Sequence, residues 1–117
     1  MPIRAVLVIA LSLAVVSPAW ADKRSEAKEH VEFGIELAKK GLWSSAVQQW
    51  EKAKSIDAEY MAAWNNLAIG YEQLGKFPEA REAYDIALKL DPNNAFLRTN
   101  FEQFKEIYDR QNIRRRR

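Results

Sequence analysis

Between Ala63 and Ala80 the chain reads AWNNLAIGYEQLGKFPEA, and its large apolar residues recur at helical rather than strand intervals. Trp64, Leu67, Ala68 and Tyr71 stand at offsets 0, 3, 4 and 7, which share one side of a helix. Gly75 follows where a left-handed residue would end that helix. Pro78 suits the first turn of the next, where its missing N–H costs nothing. The second helix carries Ala80, Tyr84, Ala87 and Leu88 at offsets 0, 4, 7 and 8. Alanines facing rings let two antiparallel helices lie close, with the rings filling the gaps. Pro92 stops this helix, and Asn94 is placed to cap another.

The same pattern occurs twice. Residues 27–60 lie over 61–94 without a gap, a period of 34 residues. Ile35/Ile69, Gly41/Gly75, Ala46/Ala80, Ala53/Ala87 and Asp57/Asp91 are identical pairs. Phe33/Leu67, Gly34/Ala68, Leu37/Tyr71, Trp43/Phe77, Trp50/Tyr84 and Ile56/Leu90 keep size and polarity. Agreement concentrated on small and bulky apolar positions predicts two helical hairpins, with Ser44 capping the second helix of the first copy. After Asn94 only half a copy remains. Leu97, Phe101, Phe104, Ile107 and Tyr108 predict one long helix to about Asn112, within a closing segment 95–113. Its other side is mostly charged or amide, the remedy for the apolar end that a short stack would expose. The fold class is all-α, two hairpin repeats stacked as an α-solenoid with a C-terminal capping helix.

The first residues change the picture. MPIRAVLVIALSLAVVSPAWA has a charged start at Arg4, an apolar run from Ala5 to Val16 broken by Ser12, and a small-residue ending. That order predicts a secretory signal peptide, residues 1–21, cut after Ala21, with residues 22–26 leading into the first repeat. Twelve residues are short of the roughly 20 that a spanning helix needs, which disfavours the rival reading of an uncleaved membrane anchor. Export points to the periplasm or the exterior. No cysteine is present, so disulfides and thiol catalysis are excluded.

From Asp22 onward 17 basic residues (18 less Arg4) face 16 acidic ones, a net charge of +1. Arg114, Arg115, Arg116 and Arg117 supply four of the positive charges, leaving the body at −3. This basic tail, residues 114–117, is a candidate anion-binding element for a membrane surface or an acidic partner. Export argues against nucleic acid as its target. The plainer reading, a disordered solubilising tail that complements the negative end of the last helix, is favoured.

Catalysis finds little support. His30 is the only histidine, and a metal site needs three or four convergent ligands. It is read as a partly buried packing residue, with no metal and no cofactor expected. Trp43, Trp50, Trp64, Tyr71, Phe77 and Tyr84 are assigned by their spacing to contacts between helices rather than to base or sugar stacking. Trp43, beside a loop, is the one placed to stay partly exposed.

These residues resemble the tetratricopeptide repeat family, whose pattern is W-x2-L-G-x2-Y, A-x3-F, P at a 34-residue period. The second copy supplies Trp64, Leu67, Ala68 for glycine, Tyr71, Ala80, Tyr84 for phenylalanine, Ala87 and Pro92. The first has His30 for the tryptophan, Leu37 for the tyrosine, Trp50 for the phenylalanine and Ala58 for the proline, while Phe33, Gly34, Ala46 and Ala53 fit. The resemblance implies a right-handed stack of hairpins whose first helices line a concave groove. By that analogy the partner-binding positions are Lys28, Val31, Glu32, Ile35 and Lys39, then Ala62, Asn65, Asn66, Ile69, Glu72 and Gln73, then Thr99, Asn100 and Gln103. Amides with isolated apolar residues suit a peptide, whose backbone offers donors and acceptors along its length.

Some family members grip a terminal carboxylate with a lysine and asparagines in the groove. Asn66 matches one such asparagine, but Val31 and Ile35 stand where a lysine and another asparagine would be needed, which argues against that mechanism here. The function expected is a non-enzymatic adaptor binding a protein or peptide. The alternative is a self-associating structural subunit of a larger envelope complex.

Overall fold

The computed structural model describes residues 18–117, so most of the expected signal segment lies outside the described residues. These residues form five helices: α1 (Ala19–Lys39), α2 (Trp43–Ile56), α3 (Met61–Gln73), α4 (Phe77–Leu90) and α5 (Ala95–Arg116). None of them is long and apolar enough to cross a membrane. The architecture is the all-α solenoid expected: hairpins α1–α2 and α3–α4 stack through α2 against α3, and α5 closes on α4.

Each hairpin turns in the same way. Gly41 has φ 75° and Gly75 has φ 73°, a conformation that an L side chain resists. After α1, Gly41 N–H donates to the Ala38 carbonyl at 2.9 Å and Leu42 N–H to the Leu37 carbonyl at 3.0 Å. Gly75 to Glu72 at 3.1 Å and Lys76 to Tyr71 at 2.8 Å repeat the pair after α3. Both are Schellman exits, which satisfy the last carbonyls of a helix. They deliver the chain directly into the next helix, so α2 starts at Trp43 with no side-chain cap. Ser44 therefore lies inside the first turn rather than at its expected capping place. Asn94 does cap α5, its Oδ1 accepting from Leu97 N–H at 2.9 Å.

Two junctions hold the layers together. At the first, Trp50 is 1% exposed and its Nε1 donates to the Val31 carbonyl at 3.1 Å. The ring fills a slot between Gly34 of α1 and Gly70 of α3. A Cβ at Gly34 would stand 2.3 Å from Trp50 Nε1, and one at Gly70 would stand 2.8 Å from Trp50 Cζ3. At the second, Phe77, Tyr84, Phe101, Phe104 and Tyr108 form a cluster, with Tyr84–Phe104 centroids 5.2 Å apart and Phe104–Tyr108 centroids 5.6 Å apart.

The two ends of the stack differ from its middle. In α3, Ala63, Leu67 and Gly70 are buried against the preceding hairpin. The positions 34 residues earlier are Glu29, Phe33 and Glu36, all exposed, Phe33 by 53%. No helix precedes α1 among the described residues to cover them, so Phe33 does not share the buried role of Leu67. At the other end, Arg98, Glu102 and Lys105 of α5 stand where α3 has Trp64, Ala68 and Tyr71. Charge at these positions lets α5 face water, as a closing helix must. Ile107, expected on the apolar stripe of α5, is 40% exposed.

Helix boundaries differ from the expectation at both termini. The lead-in is already helical, because α1 starts at Ala19. Arg24 of this extension pairs with Asp57 in the α2–α3 turn at 2.5 Å and lies 4.8 Å from the Tyr60 ring centroid. The C-terminal arginines are not a disordered tail: α5 continues through Arg116.

Candidate functional site

Of the groove positions, the structure brings four together around one opening. Ile35 and Lys39 from α1 and Asn66 and Ile69 from α3 line a cleft of about 230 Å³, with Ala38, Trp43 and Trp50 completing its wall. Apart from Lys39 and Asn66 the lining is hydrocarbon and indole. Asn66 is turned partly back on its own helix, its Nδ2 donating to the Ala62 carbonyl at 2.8 Å. Its amide oxygen keeps acceptor capacity. Lys39 reaches Glu36 at 2.9 Å, both side chains more than 60% exposed, and such pairs are readily exchanged for another anion.

The remaining positions spread along the helices. Val31 is a correction: it is 4% exposed, belongs to the core, and its carbonyl is held by Trp50. It cannot meet a partner, because its side chain is packed into the core of the stack. Lys28 and Glu32 are exposed and 3.9 Å apart. Asn65 and Asn100 face each other from α3 and α5, with Nδ2 of Asn100 3.5 Å from Oδ1 of Asn65. Thr99 donates to the carbonyl of Ala95 at 3.0 Å, while Gln73 and Gln103 are exposed.

Glu72 is the groove residue with the most altered chemistry. It accepts a hydrogen bond from the Tyr84 hydroxyl at 3.1 Å. Burial raises its pKa above the ordinary glutamate value, an effect the Tyr84 bond partly opposes. Tyr84 is also raised, by burial first and then by the neighbouring Glu72 carboxylate. A carboxylate so occupied anchors the second hairpin rather than serving as a free contact.

Reasoning from the repeat pattern missed Ala38 and Trp50 as cleft residues and placed Trp43 correctly as a half-buried one. The only signal for them was adjacency. Ala38 and Trp43 flank the α1–α2 turn, which opens beside Ile35. His30 is half-buried, its Nδ1 lying 2.8 Å from Gln49 Oε1.

Residues 61–94, from the start of α3 to the cap of α5, match the family model described as tetratricopeptide repeat. Residues 61–94 of the chain are thus a tetratricopeptide repeat. Among relatives, this repeat protein is 28% identical over 85 residues to the tetratricopeptide repeat domain-containing protein PYG7, chloroplastic, of Arabidopsis thaliana. That stretch is 73% of this chain and 28% of the relative. An uncharacterised protein of Methanocaldococcus jannaschii is 28% identical over 80 residues, 68% of this chain and 93% of that one. Among solved structures, the tetratricopeptide repeat domain of Arabidopsis OM64 superimposes with a TM-score of 0.66 at 21% identity, covering 70% of this chain and 68% of that one. The chain thus spans just over a quarter of the length of the plant relative, and the structural likeness bears on fold alone.

Proposed function

We propose that this tetratricopeptide repeat chain is an exported adaptor that binds a segment of another protein, with no catalytic step of its own. The observation that carries the reading is the cleft between α1 and α3. An opening of about 230 Å³ walled by Ile35, Ala38, Trp43 and Ile69 suits one bulky apolar side chain. Asn66 and Lys39 at its edge offer an acceptor for a backbone N–H and a cation for an acidic neighbour. Binding of this kind fixes a peptide through one apolar anchor and a few oriented polar contacts. Export rests on the N-terminal segment. Cleavage after Ala21 leaves Arg24, which ties α1 to Asp57, in the mature chain.

Two measurements test this. N-terminal sequencing of the protein recovered from cells should begin at Asp22, and a chain that keeps Met1 would overturn export by cleavage. A photoactivatable residue in place of Ile69 or Ile35 should give discrete covalent adducts on irradiation of intact cells. The same probe in place of Asp85, exposed on α4, should not. Equal adducts from all three positions, or none from 35 and 69, would rule out the cleft as the contact surface.

A further inference from the structure

Charge is uneven along the chain, and its positive excess is gathered in the last eight residues. Residues 22–109 carry 12 basic and 16 acidic side chains, a net −4, whereas residues 110–117 carry five arginines and no acid. The structure gives both halves of this division a shape. On α1, Asp22, Glu26, Glu29, Phe33 and Glu36 recur at spacings of three and four and are all exposed, so they share one face. Lys39 pairs with Glu36 at 2.9 Å and Lys40 follows at the next step, which leaves Asp22, Glu26 and Glu29 as the acidic part of a stripe with one ring in it. Part of this stripe is the leading end of the stack, where α3 buries Ala63, Leu67 and Gly70 at the corresponding positions. A helix laid across it meets carboxylates leading up to an exposed phenylalanine.

On α5, Arg110, Ile113, Arg114 and Arg117 form the matching stripe. These residues line one shallow depression, and Ile113 is 55% exposed. The opposite side of the same turns is taken up within the molecule, where Tyr108, Gln111, Asn112 and Arg115 line a recess with Gly75, Phe77 and Pro78. The Arg110 stripe is therefore turned away from the stack. Glu29, Phe33 and Glu36 repeat the spacing of charge, apolar residue and charge over seven residues. So do Arg110, Ile113 and Arg117, each span being about 10.5 Å at 1.5 Å per residue.

We infer that the occupant of the acidic α1 stripe is the basic end of α5 from a second copy of this chain. The two stripes lie at opposite ends of the stack, on the first and last helices, so the contact joins molecules head to tail. It leaves the cleft around Ile35 and Ile69 free. Such a contact is heterologous and propagates unless a ring closes. A contact of only a few side chains on each face falls short of the roughly 20–30 residues a side that stable interfaces use, so it is weak, fast and sensitive to salt. The copies are drawn together by opposite charge screened over about 10 Å at 0.1 M ionic strength.

The test uses the purified protein with its natural N-terminus in sedimentation velocity over a range of concentrations. At about 0.02 M salt the mean sedimentation coefficient should rise with concentration, and at about 0.5 M, where the Debye length falls to a few ångströms, it should not. Two charge-reversed chains decide the surfaces. One carries E26R, E29R and E36R, and the other carries R110E, R114E and R117E. Each alone should sediment as a monomer at low salt with an unchanged helical circular dichroism spectrum, and an equimolar mixture should associate again. A mixture that stays monomeric, or reversed chains that associate as the natural one does, overturns the proposal. It is also overturned if the natural chain stays monomeric while binding phosphatidylglycerol vesicles through the same arginines, since the basic stripe would then serve a membrane.

Discussion

The two junctions of the stack solve one packing problem in opposite ways. Between the first hairpin and α3 a single indole, Trp50, is slotted between two glycines and hung from a main-chain carbonyl. Between the second hairpin and α5 five smaller rings share the space, and Tyr84, at the position equivalent to Trp50, is hung from a carboxylate. One large ring in a close-fitting slot concentrates the stabilisation in a few atoms, whereas a cluster divides it. The first junction is therefore brittle and the second tolerant. Brittleness at this place extends to the cleft, because Trp50 also forms part of its wall.

The sharpest way to break this contrast is to empty the slot. Trp50→Ala is expected to cost about 3–5 kcal/mol, as large buried aromatic deletions do. In a domain of this size that leaves little folded protein in a urea titration followed by circular dichroism. Filling the slot from the sides comes next: Gly34→Ala or Gly70→Ala should cost roughly 1–3 kcal/mol by overpacking, because the new Cβ meets the indole at Gly34 and both the Val47 side chain and the indole at Gly70. Adding Trp50→Phe to Gly34→Ala should recover part of that loss, since the smaller ring vacates the atoms that clash. If both single variants melt with the natural chain, the slot does not exist as described.

Smaller effects are expected at the tolerant junction. Phe101→Leu and Tyr108→Leu should each cost about 0.5–1.5 kcal/mol, the usual worth of an aromatic pair, and their amide-exchange effects should be confined to α4 and α5. The smallest effect separates the junctions by pH. Glu72 has a raised pKa in the folded chain. Its contribution is thus complete at low pH and is lost as pH rises through the folded value. Glu72→Gln keeps an acceptor for Tyr84 and should leave the protein slightly more stable than the natural chain at pH 7 and equal to it near pH 3. Asp57 runs the other way. Its bond to Arg24 lowers its pKa, so that pairing contributes at neutral pH and is lost as pH falls below about 4. The exposed setting of Arg24 limits Asp57→Asn to at most about 1 kcal/mol at pH 7.

Most of the architecture was legible in the chain because the relevant forces are local and periodic. Two glycines at the same phase, a proline in a first turn and alanines opposite rings leave few ways to fold a 34-residue unit. The boundaries were less legible for equally physical reasons. Ser44 looked like a cap because capping residues are recognised by type, while the Schellman exit that starts α2 early is a matter of backbone geometry at Gly41. The arginines looked like a tail because composition says nothing of a preceding helix that simply continues. Val31 was misplaced because the analogy assigns a face by position, whereas α1 packs on α2 at that turn and leaves the residue 4% exposed. Phe33 shows the same limit from the other side: its type matches Leu67, but what buries Leu67 is the hairpin before it.

On the function proposed above, the opening between Ile35, Trp43 and Ile69 is where this chain holds its partner. Selection of random twelve-residue peptides on the immobilised protein tests it directly. Recovered peptides should share one bulky apolar residue, and their affinity should fall at least about tenfold for Ile69→Lys while staying within about twofold for Asp85→Lys, a difference worth about 1.4 kcal/mol per decade. Peptides that bind the two variants equally well would place the recognition surface elsewhere and contradict the account.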